Sequence, residues 1–174
     1  TLDIHRGEIV GIAGVDGNGQ TDLSELIMGL RKASGGRMEF LGQDITHSDT
    51  KQMRNLPIGY IPADRNHAAV VLDFSIRMNT ALNHPDRKPY GSRFLMDFKN
   101  IAQITDRKME EFNVSATGSD ELVGNLSGGN QQKVVLAREV GEKVDLIIAV
   151  YPTRGLDIDA TNFVYETMLK AREQ

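Results

Sequence analysis

The chain has 174 residues, of which 40% are apolar and 25% charged, with a formal net charge of −4 and no cysteine. That length supports one domain with a buried core, and the acidic balance argues against a general nucleic-acid binder, which needs a basic face. The missing cysteines exclude disulfides and thiolate metal sites, and no apolar run approaches the roughly 20 residues that cross a bilayer as a helix.

The opening stretch TLDIHRGEI has no signal-peptide pattern and no initiating Met, so the chain is expected to be a piece of a longer polypeptide. Residues 8–13 (EIVGIA) are short and mostly apolar and stop at Gly14, which predicts a strand buried on both faces. A glycine-rich loop follows. Leu23, Leu26, Ile27 and Leu30 then recur at the spacing of one face of an amphipathic helix. Met38 and Phe40 alternate with Arg37 and Glu39 before Gly42, the pattern of an edge strand. IGYI at 58–61 predicts a second buried strand, closed by Pro62.

From Phe74 to Phe112 the pattern is helical in pieces, broken at His84-Pro85 and at Pro89-Tyr90-Gly91. Within it, residues 97–112 place Phe98, Ile101, Ile104, Met109 and Phe112 at helical spacing. A second glycine turn at 125–129 opens a helix from about Asn130 to Val140, LIIAV at 146–150 predicts a third buried strand, and Asp159 to Arg172 a last helix. Apolar strands separated by helices imply an α/β fold with a mostly parallel sheet.

The stretch 14-GVDGNGQT-21 has the spacing of a phosphate-binding loop, G-x-x-x-x-G-K-[ST], with Gln20 where the lysine would stand. Gly14 and Gly19 allow the turn, the N-terminus of the following helix faces an anion, and Thr21 sits where a hydroxyl would ligate Mg²⁺. A charge-assisted hydrogen bond is worth roughly 1.5–3 kcal/mol, so losing the lysine weakens nucleotide about tenfold to a hundredfold. A strand-to-helix turn with no ligand fits the same residues, and the loop alone leaves both readings open.

The stretch 126-LSGGNQQK-133 is a second anion-facing turn, with a hydroxyl and free N–H groups at a helix start. LSGGNQQK resembles the signature motif of the ATP-binding-cassette transporters, and PTRGLD at 152–157 resembles the segment that follows that family's second nucleotide-binding strand. Together with GEIVGIAGVDGNGQ at 7–20 and VLDFS at 71–75, the chain is most similar to the second cassette of tandem ATPase subunits serving bacterial nucleoside and simple-sugar importers, VLDFS leaning toward nucleosides.

The resemblance covers essentially the whole chain. It implies a P-loop nucleoside triphosphate hydrolase-like core at about 1–70 and 140–174, and a helical subdomain at about 71–139, in one truncated cassette. It also implies a nucleotide-binding set of Gly14, Asp16, Gly17, Asn18, Gly19, Gln20 and Thr21, with ATP and Mg²⁺ as cofactors and Thr21 as a weak metal contact. The signature set is Leu126, Ser127, Gly128, Gly129, Asn130 and Gln131, and Asp157 falls in the loop where cassettes meet each other. Asp157 reads equally as a charge at a helix N-terminus.

Departures from the family pattern concern the chemistry. Where the family carries Asp then Glu, this chain has Val150 and Tyr151, and where a Gln reaches metal and water it has Ala63. Valine has no lone pair, and tyrosine, with a pKa of about 10, is a poor base at neutral pH. Asp64 and Arg65 are expected to project differently from a residue at 63. Asp145 starts the strand, about 16 Å from Val150 at about 3.3 Å per residue, and reads as a solvated residue there.

The resemblance therefore implies a half with no catalytic residues of its own that lends its signature turn to a partner, either the first cassette of the same subunit or a second ATPase subunit. An adenine-stacking aromatic and a switch histidine are expected outside these residues, and alone the chain is expected to have negligible or very weak ATPase activity. Residues 63–100 are where such cassettes dock on transmembrane permease subunits, at the cytoplasmic face of the inner membrane, with no nucleic-acid partner.

The alternative is a non-catalytic dimerisation or docking scaffold that binds no nucleotide. A dinucleotide oxidoreductase is disfavoured because the glycines run G-x-x-G-x-G. A P-loop kinase or GTPase would need the lysine and a metal carboxylate. The four histidines, His5, His47, His67 and His84, lack metal-ligand spacing and read as surface or loop residues.

Overall fold

A computed structural model describes residues 1–15, 17–141 and 144–173. In chain order the elements are α1 (Gln20–Ile27), β1 (Glu39–Phe40), β2 (Gln43–Asp44), α2 (Thr50–Met53), β3 (Ile58–Ile61), α3 (Ile76–Thr80), α4 (Phe98–Glu111), α5 (Gly128–Glu139), β4 (Leu146–Ala149) and α6 (Ile158–Arg172). A π-helical turn spans Arg65–Ala69 and a 3₁₀ turn Val123–Asn125.

β3 and β4 pair in parallel, with Ile58 opposite Leu146 and Ile61 opposite Ala149. Parallel neighbours need a long crossover, and here everything from Pro62 to Asp145 supplies it. β1 and β2 form a separate antiparallel hairpin, Glu39 opposite Asp44, turned by Leu41 and Gly42 at positive φ.

α5 is the centre of the packing. Val134, Val135, Leu136 and Ala137 are buried in one cluster with Ile61 of β3, Ile76 of α3 and Val164 of α6. A smaller cluster joins Ala81, Tyr90, Ile101 and Ile104. On α4 the buried residues are Ile101, Ile104, Thr105 and Lys108, an i, i+3, i+4, i+7 stripe.

Buried polar groups tie these elements together. Arg138 donates to the Glu139 carboxylate (2.7 Å) and to the backbone carbonyls of Ala69 (2.7 Å) and Asn79 (3.3 Å). Glu139 also accepts from the Tyr60 N–H (3.1 Å) and the Asn83 amide (3.0 Å). Asn79, fully buried, accepts from Val71 N–H and donates to the carbonyls of Val71, Phe74 and Ser75. A buried charge pair persists when its remaining hydrogen-bonding capacity is filled, and this one fastens α5 to β3 and α3.

Several sequence expectations are corrected. No strand is assigned at residues 8–13, and Ile9, Ile12 and Val15 are 56%, 54% and 76% exposed. Apolarity marks a segment as fit for burial, but a strand needs a ladder partner, and this run has none among the described residues. α1 stops at Ile27, so Leu30 lies beyond the helix and is exposed rather than on its apolar face. β4 ends at Ala149 and is half-buried rather than buried, since its residues are only partly covered. α5 begins at Gly128, two residues earlier than the apolar pattern shows, because Ser127 caps it.

Candidate functional site

Between residues 14 and 20 the backbone is set by glycine. Gly17 and Gly19 have φ of 88° and 93°, a region that costs L-residues with a Cβ roughly 1–2 kcal/mol. At Gly14 an added Cβ would meet only the flexible end of the Gln20 side chain, which could move aside. Gln20 turns back on its own loop, its amide nitrogen donating to the Val15 carbonyl at 3.3 Å. Thr21 is exposed on the first turn of α1, and Asn18 and Gly17 are exposed in the loop. Asp16 lies outside the described residues. Ser24 donates to the Thr21 carbonyl (2.8 Å) and lies 3.3 Å from the Tyr60 hydroxyl, which moors α1 to β3.

The carboxyl ends of β3 and β4 open side by side. Val150 continues the ladder by donating its N–H to the Ile61 carbonyl (2.9 Å) and is buried. Tyr151 follows with φ 47°, a left-handed conformation for a bulky side chain. Ala63, Asp64, Arg65 and Asn66, together with Gln132, Tyr151 and Arg154, surround a cavity of about 300 Å³. Both Asp64 oxygens face His67, one accepting from its N–H (3.1 Å) and one 2.9 Å from its ring. Those hydrogen bonds hold the Asp64 carboxyl below its ordinary pKa. Burial pulls the Arg65 guanidinium below its usual value, partly offset by Asp64.

The signature turn is built onto α5. Ser127 is its N-cap, the hydroxyl accepting from the Asn130 N–H (3.4 Å) and side-chain amide (3.1 Å). Asn130 accepts in turn from the Ser115 N–H (2.9 Å). An added Cβ at Gly128 would stand 3.0 Å from the Arg65 guanidinium, and one at Gly129 would stand 3.1 Å from the Ala160 Cβ. Asp157 caps α6 by accepting from the Ala160 N–H at 2.7 Å, so the starts of α5 and α6 abut. Leu126 and Gln131 are buried, and the Gln131 amide donates to the Val123 carbonyl (3.2 Å). They hold the turn from beneath, while Ser127 is exposed and Gly128, Gly129 and Asn130 are partly so.

The structure thus sets Gly128 against Arg65 and Gly129 against Ala160 and Asp157, while Ala63 and Tyr151 line the cavity, and none of the described residues among 14–21 lines it. Arg65, Gln132 and Arg154 were not singled out as site residues by sequence. Their legible signal was position: Gln132 lies within LSGGNQQK, Arg154 within PTRGLD, and Arg65 two residues after Ala63. Asp145, at the opposite end of β4, pairs with Arg6 at 3.0 Å.

A family model described as "ABC transporter" matches residues 1–154. The chain belongs to the ABC transporter family. It is 37% identical over its whole length to the nucleoside import ATP-binding protein NupA of Lactococcus lactis, of which it covers 34%. It is 36% identical, again over its whole length, to the ribose import ATP-binding protein RbsA of the same species, of which it covers 35%. The chain therefore spans about a third of the length of these relatives. The dimeric, post-hydrolysis structure of the ATP-binding cassette MJ0796 superimposes with a TM-score of 0.80 at 22% identity, covering 99% of this chain and 72% of that one. The P-loop NTPase-like ABC fold follows.

ABC cassettes bind ATP with Mg²⁺, and the residues of this cassette fit the two unequally. For the metal they do not fit. Val150 and Tyr151 offer no carboxylate at the end of β4, and among the described residues no group of three or more His, Cys, Asp or Glu is placed to hold an ion. The loop backbone keeps its glycine conformations, but the Gln20 amide is spent on the Val15 carbonyl.

Proposed function

We propose that this cassette is the degenerate second half of an importer ATPase subunit for nucleosides or simple sugars. It lends Ser127, Gly128 and Gly129 to a nucleotide held by a partner cassette. One observation carries the reading: the signature turn is capped, backed by the buried Leu126 and Gln131 and set against Asp157, whereas Gln20, Ala63, Val150 and Tyr151 provide none of the groups that grip metal or activate water. The likeness to nucleoside and ribose import ATP-binding proteins supports the solute class.

On this reading the partner is the first cassette of the same subunit or a second ATPase subunit, and Asp157 lies at the contact between them. Residues 1–70 and 140–174 form the nucleotide-binding core and 71–139 the helical subdomain. Residues 63–100 dock on permease subunits at the cytoplasmic face of the membrane. The exposed Phe94 and Leu95 (84% and 76%) offer apolar surface for that contact. Among the described residues no helix is long and apolar enough to cross a membrane.

The test is ATP turnover by the complete ATPase subunit carrying Ser127→Arg or Gln20→Ala. The arginine is expected to abolish turnover by filling the turn, and the alanine to leave it within a few-fold. Full turnover with Ser127→Arg would overturn the reading. The Gln20 contact with its own loop also supports a second reading, a docking scaffold without nucleotide. Titrating the chain with ATP separates the two, since saturable binding removes the scaffold.

A further inference from the structure

The segment between α3 and α4 ends in a short finger at residues 91–96. Gly91 and Met96 bridge as an antiparallel pair, and Ser92 and Leu95 bond each other's backbone in both directions (2.8 and 3.3 Å). Its base is tightly fixed. A Cβ at Gly91 would stand 2.6 Å from the carbonyl oxygens of Leu95 and Pro85. The Asp97 N–H donates to the Tyr90 carbonyl (2.9 Å), and the Asn100 amide donates to the Pro89 carbonyl (2.6 Å). This backbone holds its tip in water. Phe94 is the most exposed large apolar side chain among the described residues, and Leu95 and Phe98 are exposed beside it. Apolar side chains presented in this way draw no stability from burial in the fold and mark a contact surface.

The charge around the tip runs against that of the whole chain, which is −4. Residues 86–99 carry Arg87, Lys88, Arg93 and Lys99 against Asp86 and Asp97. Both carboxylates are engaged, Asp86 by Arg54 (3.6 Å) and Asp97 by the Asn100 N–H (3.0 Å). Lys88, Arg93 and Lys99 are exposed and make no ion pair among the described residues. Arg93 lies over the Phe94 ring, 5.5 Å from its centroid.

We propose that this finger is an interfacial anchor for an anionic lipid surface. Phe94 and Leu95 enter the boundary between headgroups and acyl chains, and Lys88, Arg93 and Lys99 meet the headgroup phosphates. A bilayer offers those two chemistries in that order, apolar beneath and negative at the rim. Long cationic side chains can reach past an apolar neighbour to such a rim. The orientation rests on the reading that residues 63–100 face the membrane, and the lipid contact is additional to the permease contact proposed there.

The experiment is co-sedimentation of the chain with vesicles of phosphatidylcholine alone and of phosphatidylcholine mixed with phosphatidylglycerol. The chain has no tryptophan, so Phe94→Trp places a single fluorophore at the tip. Partition onto the mixed vesicles is expected, weaker at high salt, with a blue shift of the tryptophan emission. Leu95→Ser should weaken it about tenfold or more and Arg93→Gln about fivefold. Leu41→Ser and Lys32→Gln, exposed elsewhere in the fold, should leave it unchanged. Circular dichroism checks the fold of each variant.

No partition onto the mixed vesicles, equal partition onto both kinds, or the same loss with Leu41→Ser and Lys32→Gln would overturn the anchor. Assembly of the complete ATPase subunit with its permease in detergent separates it from the docking reading. Leu95→Ser that loses vesicle binding and keeps assembly supports a lipid contact. Leu95→Ser that loses assembly and keeps vesicle binding assigns the tip to protein and overturns it.

Discussion

The molecule carries two glycine turns that each open a helix, and they are supported very differently. The turn at 14–19 is flanked by an exposed apolar run and closed by a side chain from its own helix, Gln20. The turn at 127–129 begins a helix whose residues from Gln131 to Glu139 are buried except Lys133, and whose end is held by the Arg138–Glu139 network. A helix start can present donors to a ligand only as firmly as the helix is held. The well-supported turn is the one proposed to serve a partner cassette, and the sparsely supported one is the one that would hold nucleotide on this chain.

The largest expected effect tests that firmness. Glu139→Ala strands the buried Arg138 guanidinium and is expected to cost about 3–5 kcal/mol of stability, read by urea denaturation. A loss under 1 kcal/mol would show that the network does not fasten α5. Next is Gln20→Lys, which restores the charge to the loose turn. ATP affinity of the chain is expected to rise about tenfold to a hundredfold, about 1.5–3 kcal/mol, in a calorimetric titration. No gain would mean that the loop has lost its shape as well as its lysine.

Asp157→Ala removes the cap of α6 beside Gly129, and a thermal melt should show about 1 kcal/mol of destabilisation. At the other end, the Arg6–Asp145 pair is largely exposed on the arginine side (82%). Arg6→Ala should therefore cost no more than about 0.2–1 kcal/mol; a larger loss would mean the first residues are more firmly held than their exposure indicates.

The smallest effect is one of pH. Glu121 accepts from the Thr117 N–H (2.6 Å) and hydroxyl (2.8 Å), which hold its carboxyl below the ordinary glutamate range. Because its folded pKa is depressed, its contribution is fully present above the unfolded value of about 4.3 and is lost as pH falls through the folded one. A carboxyl NMR titration of wild type against Thr117→Val checks it, and the variant's pKa should move up.

Much of the architecture is legible as local pattern. IGYI at 58–61 is β3 residue for residue, and the proline breaks at 85 and 89 fall between α3 and α4. The stripe Ile101, Ile104 is the buried face of α4. These readings succeed because spacing and chain breakers act within a few residues. The reading of 8–13 as a strand fails for the complementary reason, since its ladder partner is a matter of distant chain. The network around Glu139 was hidden too: Tyr60, Asn79 and Asn83 are far away in sequence, and a polar residue gives no local sign that its partners will be buried with it.

Sequence by itself determined the family and the chemistry that is missing. Which atoms a side chain carries does not depend on the fold, so Val150 and Tyr151 cannot act as carboxylates however they are placed. Tertiary structure decided which turn is firm, that Gln20 folds onto the Val15 carbonyl, and that Arg65, Gln132 and Arg154 meet around one cavity. These are facts of proximity between segments up to about ninety residues apart in the chain, and only packing around α5 brings such segments together.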